Sequence, residues 1–237
     1  MLSNIITSAN EMTKKLEMQD VVSNNLANIN TNGFKKDMIN FRKVFDAKQN
    51  DFITETKIST DFTQGNMVLS GNAFDLAVNG DGFFAVEDGN NELFTRNGAF
   101  SKNSEGYLVT QMGRKVLSDN GPIIVEGNDF LVDKQGGVWV DNEYRGTLKI
   151  VSFQEINKLQ KAQSNGLFEN LGSSFILNPQ TNGECEVLQN TLEKSNVSST
   201  SEMIDMIKIS NEYQTNYRVL DIINELTKKS IQELSKV

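Results

Sequence analysis

The stretch Ser23-Asn24-Asn25-Leu26-Ala27-Asn28-Ile29-Asn30-Thr31-Asn32-Gly33-Phe34 stands where one regular pattern stops and another begins. Five asparagines crowd its twelve positions. Asparagine amides bond to nearby backbone and so compete with the helix that carries them. Such a run is poor in a helix that stands alone. It suits a segment whose amides bond the backbone of a partner, or one that stays unfolded before assembly; a frayed helix end is the plain alternative. Asn32-Gly33 then supplies a C-terminal breaker, so a helix that precedes it stops near Asn30.

Upstream, Leu2 to Ile29 contains no glycine and no proline. Ile5, Ala9, Met12, Leu16, Val22, Leu26 and Ile29 recur mostly at steps of three and four, the mark of one helical face. A heptad through Ile5, Met12, Gln19 and Leu26 holds one polar residue. A helix of this length spans about 42 Å. The far end behaves alike. Glu202 to Leu234 is free of Gly and Pro, and Met203, Met206, Tyr213, Tyr217, Leu220, Ile231 and Leu234 keep the spacing. Ser201 or a hydroxyl just before it is the expected N-cap, with Glu202 and Asp205 favouring the helix start. Each stripe is narrow, the width of a coiled-coil seam. Ile5, Met12, Leu16 and Leu26 are therefore expected to face Met206, Tyr213, Leu220 and Leu234, with Ile5 near Leu234, in the same chain or a neighbour.

Downstream the pattern changes. Sixteen of the 17 glycines lie between Gly65 and Gly183. Short runs rich in Val, Ile, Phe and Leu alternate with Asp88-Gly89, Asn97-Gly98, Glu105-Gly106, Asn120-Gly121 and Gly136-Gly137, which suit turns that need positive φ. Many short strands at near-regular spacing predict an antiparallel sandwich or barrel. Between helix and strands, Phe34, Met38, Phe41 and Phe45 fit either a short helix or an irregular extended arm, and Thr54 to Ser70 reads as an extended connector. The fold class is α+β, an antiparallel β-rich domain inserted between coiled-coil-forming terminal helices. The expected divisions are 1–30 (axial helix), 31–74 (connector arm), 75–182 (β domain), 183–200 (return connector) and 201–237 (axial helix).

Composition excludes much chemistry. Histidine is absent, which removes Ser-His-Asp and Cys-His arrangements and His-ligated metals. Cys185, the single cysteine, has no internal disulfide partner and lies between two glutamates that disfavour a thiolate. A net charge of −8 argues against nucleic acid or an anionic membrane as the main partner. The apolar share of 38% is low for a compact globule and fits burial completed by neighbouring subunits. No apolar stretch approaches a membrane span, and the N-terminus lacks the basic and apolar regions of a secretory signal. Asn79-Gly80-Asp81-Gly82 lacks the third glycine and following helix of a dinucleotide loop, and an EF-hand register from Asp75 fails at Ala77 and Val86. A looser calcium turn at Asp81, Asp88 or Asp119, and a glycosidase pair drawn from Asp75, Asp81 and Glu87, are weighed against ordinary turn acids.

Three blocks resemble the flagellar rod and hook family of axial proteins. The first is Ser23 to Lys36, with Asn24, Asn25, Leu26, Ala27, Asn28, Gly33 and Phe34. The second holds Thr63-Gln64-Gly65-Asn66, then Asp75 to Phe84 with Gly80, Gly82, Phe83 and Phe84, then Phe94 to Phe100 with Arg96, Asn97 and Gly98, then Gly106 to Thr110. The third is Leu192 to Val197, with Ser195, Asn196 and Val197, followed by Glu202-Met203 and Met206-Ile207. The resemblance implies a structural, non-enzymatic subunit without catalytic residues, cofactor, metal, nucleic acid or small-molecule substrate. It implies export without a cleaved signal by the flagellar type III apparatus, assembly with copies of itself and other rod proteins, and a place in the basal-body rod across the periplasm. There the terminal helices form an inner tube that carries torque from membrane ring to hook. Only 26 residues separate Lys36 from Thr63, without the extra stretch of distal-rod members, and Ser210 to Gln214 departs from the distal pattern. Both features favour a proximal-rod member; a distal member that lost its insert stays open. An exported coiled-coil adhesin, which predicts a parallel trimer, and a periplasmic peptidoglycan hydrolase are the competing classes.

Overall fold

The computed structural model of the chain describes residues 2–46, 51–89, 91–127, 129–162, 166–172, 174–179, 183 and 185–234. Contacts divide it into two compact units. The first gathers Met1–Ala27, Asp37–Ser59 and Ser198–Val237; the second gathers Asn28–Lys36 and Thr60–Val197.

In the first unit, helix α1 (Leu2–Ala27) runs alongside helix α2 (Ser199–Leu234). Lys15 meets Glu212 at 2.5 Å and Asn25 meets Glu202 at 3.1 Å, so numbering rises on one helix as it falls on the other. The pair is antiparallel. Equal steps along both helices set the backbone of Ile5 level with Ile222, well short of Leu234. The side chains of Ile5 and Leu234 lie outside the described residues. Glu202 in the first turn of α2 complements the positive end of its dipole.

The stretch expected as a connector arm is instead a two-stranded hairpin, Asp37–Asp46 with Asp51–Thr60. Asn40 bonds Ser59 and Arg42 meets Glu55 across it. Its Met38 and Phe41 side chains are exposed. The three-four spacing of Phe34, Met38 and Phe41 is therefore no helical stripe: Phe34 is buried in the other unit, while Met38 and Phe41 are exposed on the first strand of the hairpin. The return connector is corrected likewise. Cys185–Gln189 pairs with Leu76–Gly80, and Thr191–Glu193 pairs with Met67–Leu69.

The second unit is antiparallel throughout its described ladders. Its centre is a six-stranded sheet in the order Leu159–Lys161, Leu167–Asn170, Asn91–Thr95, Phe83–Asp88, Ile150–Phe153, Phe175–Leu177. The run Phe83-Phe84-Ala85-Val86 is apolar at every position because the sheet is covered on both sides. Phe83 and Ala85 join one buried cluster with Phe94, Val151 and Phe168, while Phe84 and Val86 join the other with Leu93, Leu108, Val138 and Ile150. A three-stranded sheet, Phe130–Val132, Gly137–Val140 and Glu143–Thr147, contributes Val132, Val138 and Val140 to the larger cluster. No described helix is long and apolar enough to cross a membrane.

Candidate functional site

Two buried polar constructions hold the chain where the sequence blocks lie. The first joins three segments of the helical unit. Asn25 is almost wholly buried. Its Oδ1 accepts the Asp37 N–H at 2.9 Å, and its Nδ2 donates to the Asp37 carbonyl at 2.9 Å and to Glu202 Oε2 at 3.1 Å. Because a peptide N–H only donates, the amide oxygen must face it, which fixes the orientation of the side chain. Asn25 thus pairs with a peptide group as a strand would, and ties α1 to the start of the hairpin and to α2. Asn24 adds a weaker contact, Nδ2 to Asp37 Oδ2 at 3.4 Å.

The second construction lies in the β-rich unit and has Glu193 at its centre, with a fully buried side chain. Glu193 Oε1 accepts from Lys35 Nζ at 2.7 Å and from the Gly65 N–H at 2.8 Å. Arg96 Nη1 stands 3.5 Å from Glu193 Oε2. Arg96 also donates to the Val78 carbonyl at 3.2 Å and the Gly80 carbonyl at 2.8 Å, with its guanidinium 4.8 Å above the Phe83 ring. Lys35 donates further to the Thr63 carbonyl at 2.8 Å. Burial pulls Lys35 and Arg96 below the usual lysine and arginine ranges, and Glu193 opposes this in both cases. Asn196 completes the joint. Its amide donates to the carbonyls of Asp61 and Thr63, and its Oδ1 accepts the Lys36 N–H at 2.7 Å.

Two glycines make this packing sterically possible. A Cβ on Gly33, whose φ is +66°, would lie 2.4 Å from the Arg96 carbonyl carbon, and one on Gly98 would lie 1.6 Å from the Leu76 oxygen. The N–H of Gly33 donates to the Glu193 carbonyl at 2.7 Å. The Gly33-Phe34, Arg96-Asn97-Gly98 and Ser195-Asn196-Val197 blocks therefore meet in one place. Phe34 lies beneath Lys161 Nζ at 4.1 Å, the Asn97 side chain accepts the Ala99 N–H, and Ser195 Oγ accepts the Val197 N–H. Gly80, Gly82, Phe83 and Phe84 belong to the neighbouring strand pair and core.

The helical stripe needs one correction. Met12 and Leu26 on α1 and Met206, Tyr213 and Leu220 on α2 are half-buried, but Leu16 is exposed. The deeply buried positions are Val21 and Asn25 on α1 and Glu202 and Ile209 on α2. Leu16 precedes Asn25 by about two and a half turns and so stands on the opposite side of the helix. Ala27 is exposed and Asn28 buried at the helix end, where the Asn28 carbonyl accepts the Thr31 N–H.

The remaining candidates are dispersed, with Glu87 half-buried beside a cleft. Asp75 is buried and accepts from Asn72, Asp81 is exposed, Asp88 pairs with Arg114, and Asp119 accepts from Asn178. Among the described residues no group of three or more acids and thiols is placed to hold a metal ion. Cys185 is buried in the larger core cluster. Sequence reasoning passed over Lys35, Gly65, Glu193 and Glu202 as site residues. The signal was their position inside the matching blocks, where charged residues adjoin glycines and asparagines.

Comparison with known proteins places these residues in recognised segments. Residues 7–35 match the family described as flagella basal body rod protein. Residues 77–142 match the flagellar hook protein FlgE/F/G D1 domain, and residues 188–233 the C-terminal region of flagellar basal body rod FlgEFG protein. Flagellar basal-body rod protein FlgF of Caulobacter vibrioides is 34% identical over 245 residues, covering 96% of this chain and 95% of the relative. Flagellar basal-body rod protein FlgG of Bacillus subtilis is 30% identical over 267 residues, covering 99% and 98%. FlgF of Buchnera aphidicola subsp. Schizaphis graminum is 28% identical over 251 residues, covering 96% of each. Asn25 and Lys35 fall in the first matched segment, Arg96 in the second and Glu193 in the third.

Proposed function

Because the chain belongs to the flagellar basal-body rod proteins, we propose that it builds the proximal segment of the rod, joining its neighbours through its paired terminal helices. The chain is a structural subunit of the basal-body rod. The observation that carries the assembly reading is the second apolar face of α2. One face, with Met206, Ile209, Tyr213 and Leu220, is partly or fully covered. A separate set, Met203, Ile204, Ile207, Tyr217, Ile222 and Leu226, remains exposed. A helix apolar on two sides is suited to a bundle with further helices, here supplied by copies of the chain and other rod proteins as a coiled-coil-like tube.

The proximal placement rests on the short stretch between Lys36 and Thr63, which the hairpin occupies almost completely. We infer passage through the flagellar export apparatus without a cleaved signal, a reading that the same membership supports. The adhesin alternative asks for parallel helices in a trimer, whereas α1 and α2 pair antiparallel within one chain. The hydrolase alternative asks for two acids free to act in one cleft; Asp75 is buried against Asn72, and where Glu87 and Asp88 line a cleft together, Asp88 is paired with Arg114.

The test is Ile207→Asp combined with Ile222→Asp in the intact chain, expressed in cells lacking the native copy. Rods should fail to form while melting of the β-rich unit stays unchanged. Motile cells with normal basal bodies would refute the helix reading. Electron microscopy of basal bodies with a tagged copy should place the tag on the membrane-ring side; density at the hook side would refute the proximal placement.

A further inference from the structure

The outer side of the three-stranded sheet carries a feature that assembly through the helices does not use. Leu131, Trp139 and Tyr144 lie opposite one another on its three strands, and all three are exposed. Trp139 is the only tryptophan of the chain. Beside it opens a cleft of about 490 Å³, lined by Ala73, Asp129, Phe130, Leu131, Trp139 and Asn142. This is within the size range of small-molecule sites. Three local devices shape it. A register shift between Val138 and Trp139 bulges the strand beside the indole, a disruption that re-aims side chains. Asp141 and Asn142, at φ +50° and +65°, form a two-residue hairpin turn without glycine, which sets Asn142 at the rim. Beneath, Gln189 Nε2 donates to the carbonyls of both Ala73 and Phe130 at 3.0 Å, and its Oε1 accepts the Val132 N–H, so the floor is braced.

The chemistry of the lining narrows the occupant. The indole face carries the negative lobe of a quadrupole and attracts polarised C–H bonds. Asp129 offers acceptors, and Asn142 offers both donors and acceptors. Both residues are exposed. An anionic ligand is repelled by Asp129, while Glu143 on the same hairpin is paired with Arg145 at 3.0 Å. A wholly apolar ligand would desolvate the Asp129 carboxylate without compensation. The centre of a protein interface is depleted of such charges. A pyranose satisfies all the groups at once, with an apolar ring face for the indole and equatorial hydroxyls for the carboxylate and amide. We propose that this cleft binds an uncharged oligosaccharide, with one sugar ring stacked on Trp139 and its polar substituents held by Asp129 and Asn142.

The single tryptophan makes the site its own reporter. The full chain is titrated with cellotetraose and with chitotetraose, β-linked probes with flat ring faces, while Trp139 emission is followed. At least one sugar should give a saturable change with a dissociation constant on the order of 0.1–1 mM. Asn142→Gly, which keeps the turn's positive φ and removes the amide, should weaken this binding about tenfold, as should Asp129→Ala. Both variants retain the reporter, and their urea midpoints show that they fold. No change with either sugar up to about 10 mM would overturn the proposal. So would binding that both variants leave intact. An emission change driven by protein concentration alone, without sugar, would assign the face to a second copy and overturn it equally.

Discussion

Replacing Glu193 with glutamine tests the buried joint at its centre. The side chain keeps its shape and one oxygen, so Lys35 and the Gly65 N–H retain an acceptor. What is lost is the carboxylate that stands 2.7 Å from Lys35 and 3.5 Å from Arg96, whose side chains are almost fully buried. Stripping a buried charge of its counter-ion costs about 3–5 kcal/mol, and the retained hydrogen bonds put Glu193→Gln near the lower end. For a unit of this size each kcal/mol moves the melting point by about 2–4 °C, so Tm should fall by about 10 °C. Trp139 belongs to the same unit, so its emission follows the transition in urea or on heating. Lys35→Met alone should destabilise too. Combined with Glu193→Gln it should cost at least about 1 kcal/mol less than the two separate losses together. A Glu193→Gln protein within about 0.5 kcal/mol of the parent at unchanged urea slope would refute the reasoning, as would strict additivity in the double variant.

Gly98→Ala places a methyl 1.6 Å from the Leu76 carbonyl oxygen, and since backbone must move to admit it, the loss should exceed about 3 kcal/mol by urea unfolding. Gly80→Val and Gly82→Val should each cost about 1–3 kcal/mol for different reasons. Gly80 has φ +103°, whereas a Cβ on Gly82 would lie 2.7 Å from the Cγ2 branch of Ile150; Ile150→Leu, which removes that branch, should therefore relieve the second and not the first. Asn25→Ala removes both bonds to the Asp37 peptide and one to Glu202, about 3 kcal/mol in all, and should speed hydrogen exchange at the Asp37 amide by roughly 100-fold.

The terminal helices were legible because each is a long segment without breakers whose apolar residues recur at helical steps. The turns at Gly89, Gly106, Gly121 and Gly136 were legible because glycine marks positive φ; Gly98 does not take it, and Asp141-Asn142 turns without glycine. Leu16 misled because its spacing from Met12 is helical, yet periodicity does not state which side of a two-sided helix meets a partner. The strand Cys185–Gln189 was read as part of a return connector; its burial alternates, Cys185 and Val187 inside and Glu186 and Leu188 less so, but five residues are too short for that alternation to outweigh the neighbouring polar sequence. The joint of Lys35, Arg96 and Glu193 was beyond local reading. Each is an ordinary charged residue beside a turn, and nothing near position 35 indicates that its counter-ion lies near position 193. The family blocks located these segments without revealing the contacts that require them.

Lys35 and Glu193 are separated by 158 positions, and the ribbons Leu76–Gly80 with Cys185–Gln189 and Met67–Leu69 with Thr191–Glu193 also join early chain to late. The central strands Phe83–Asp88 and Asn91–Thr95 pair through a tight hairpin and can form while the rest of the chain is still being made. The seal around residues 33–36 has no such freedom. It waits until residues 185–197 arrive, since contacts of long sequence separation close slowly and last. Synthesis proceeds from the N-terminus, so the segment following α1 stays unfastened for most of the chain's emergence. The subunit therefore carries a built-in delay. It reaches its finished form only when almost the whole polypeptide is present, and a truncated copy lacking the last third cannot close the joint at all.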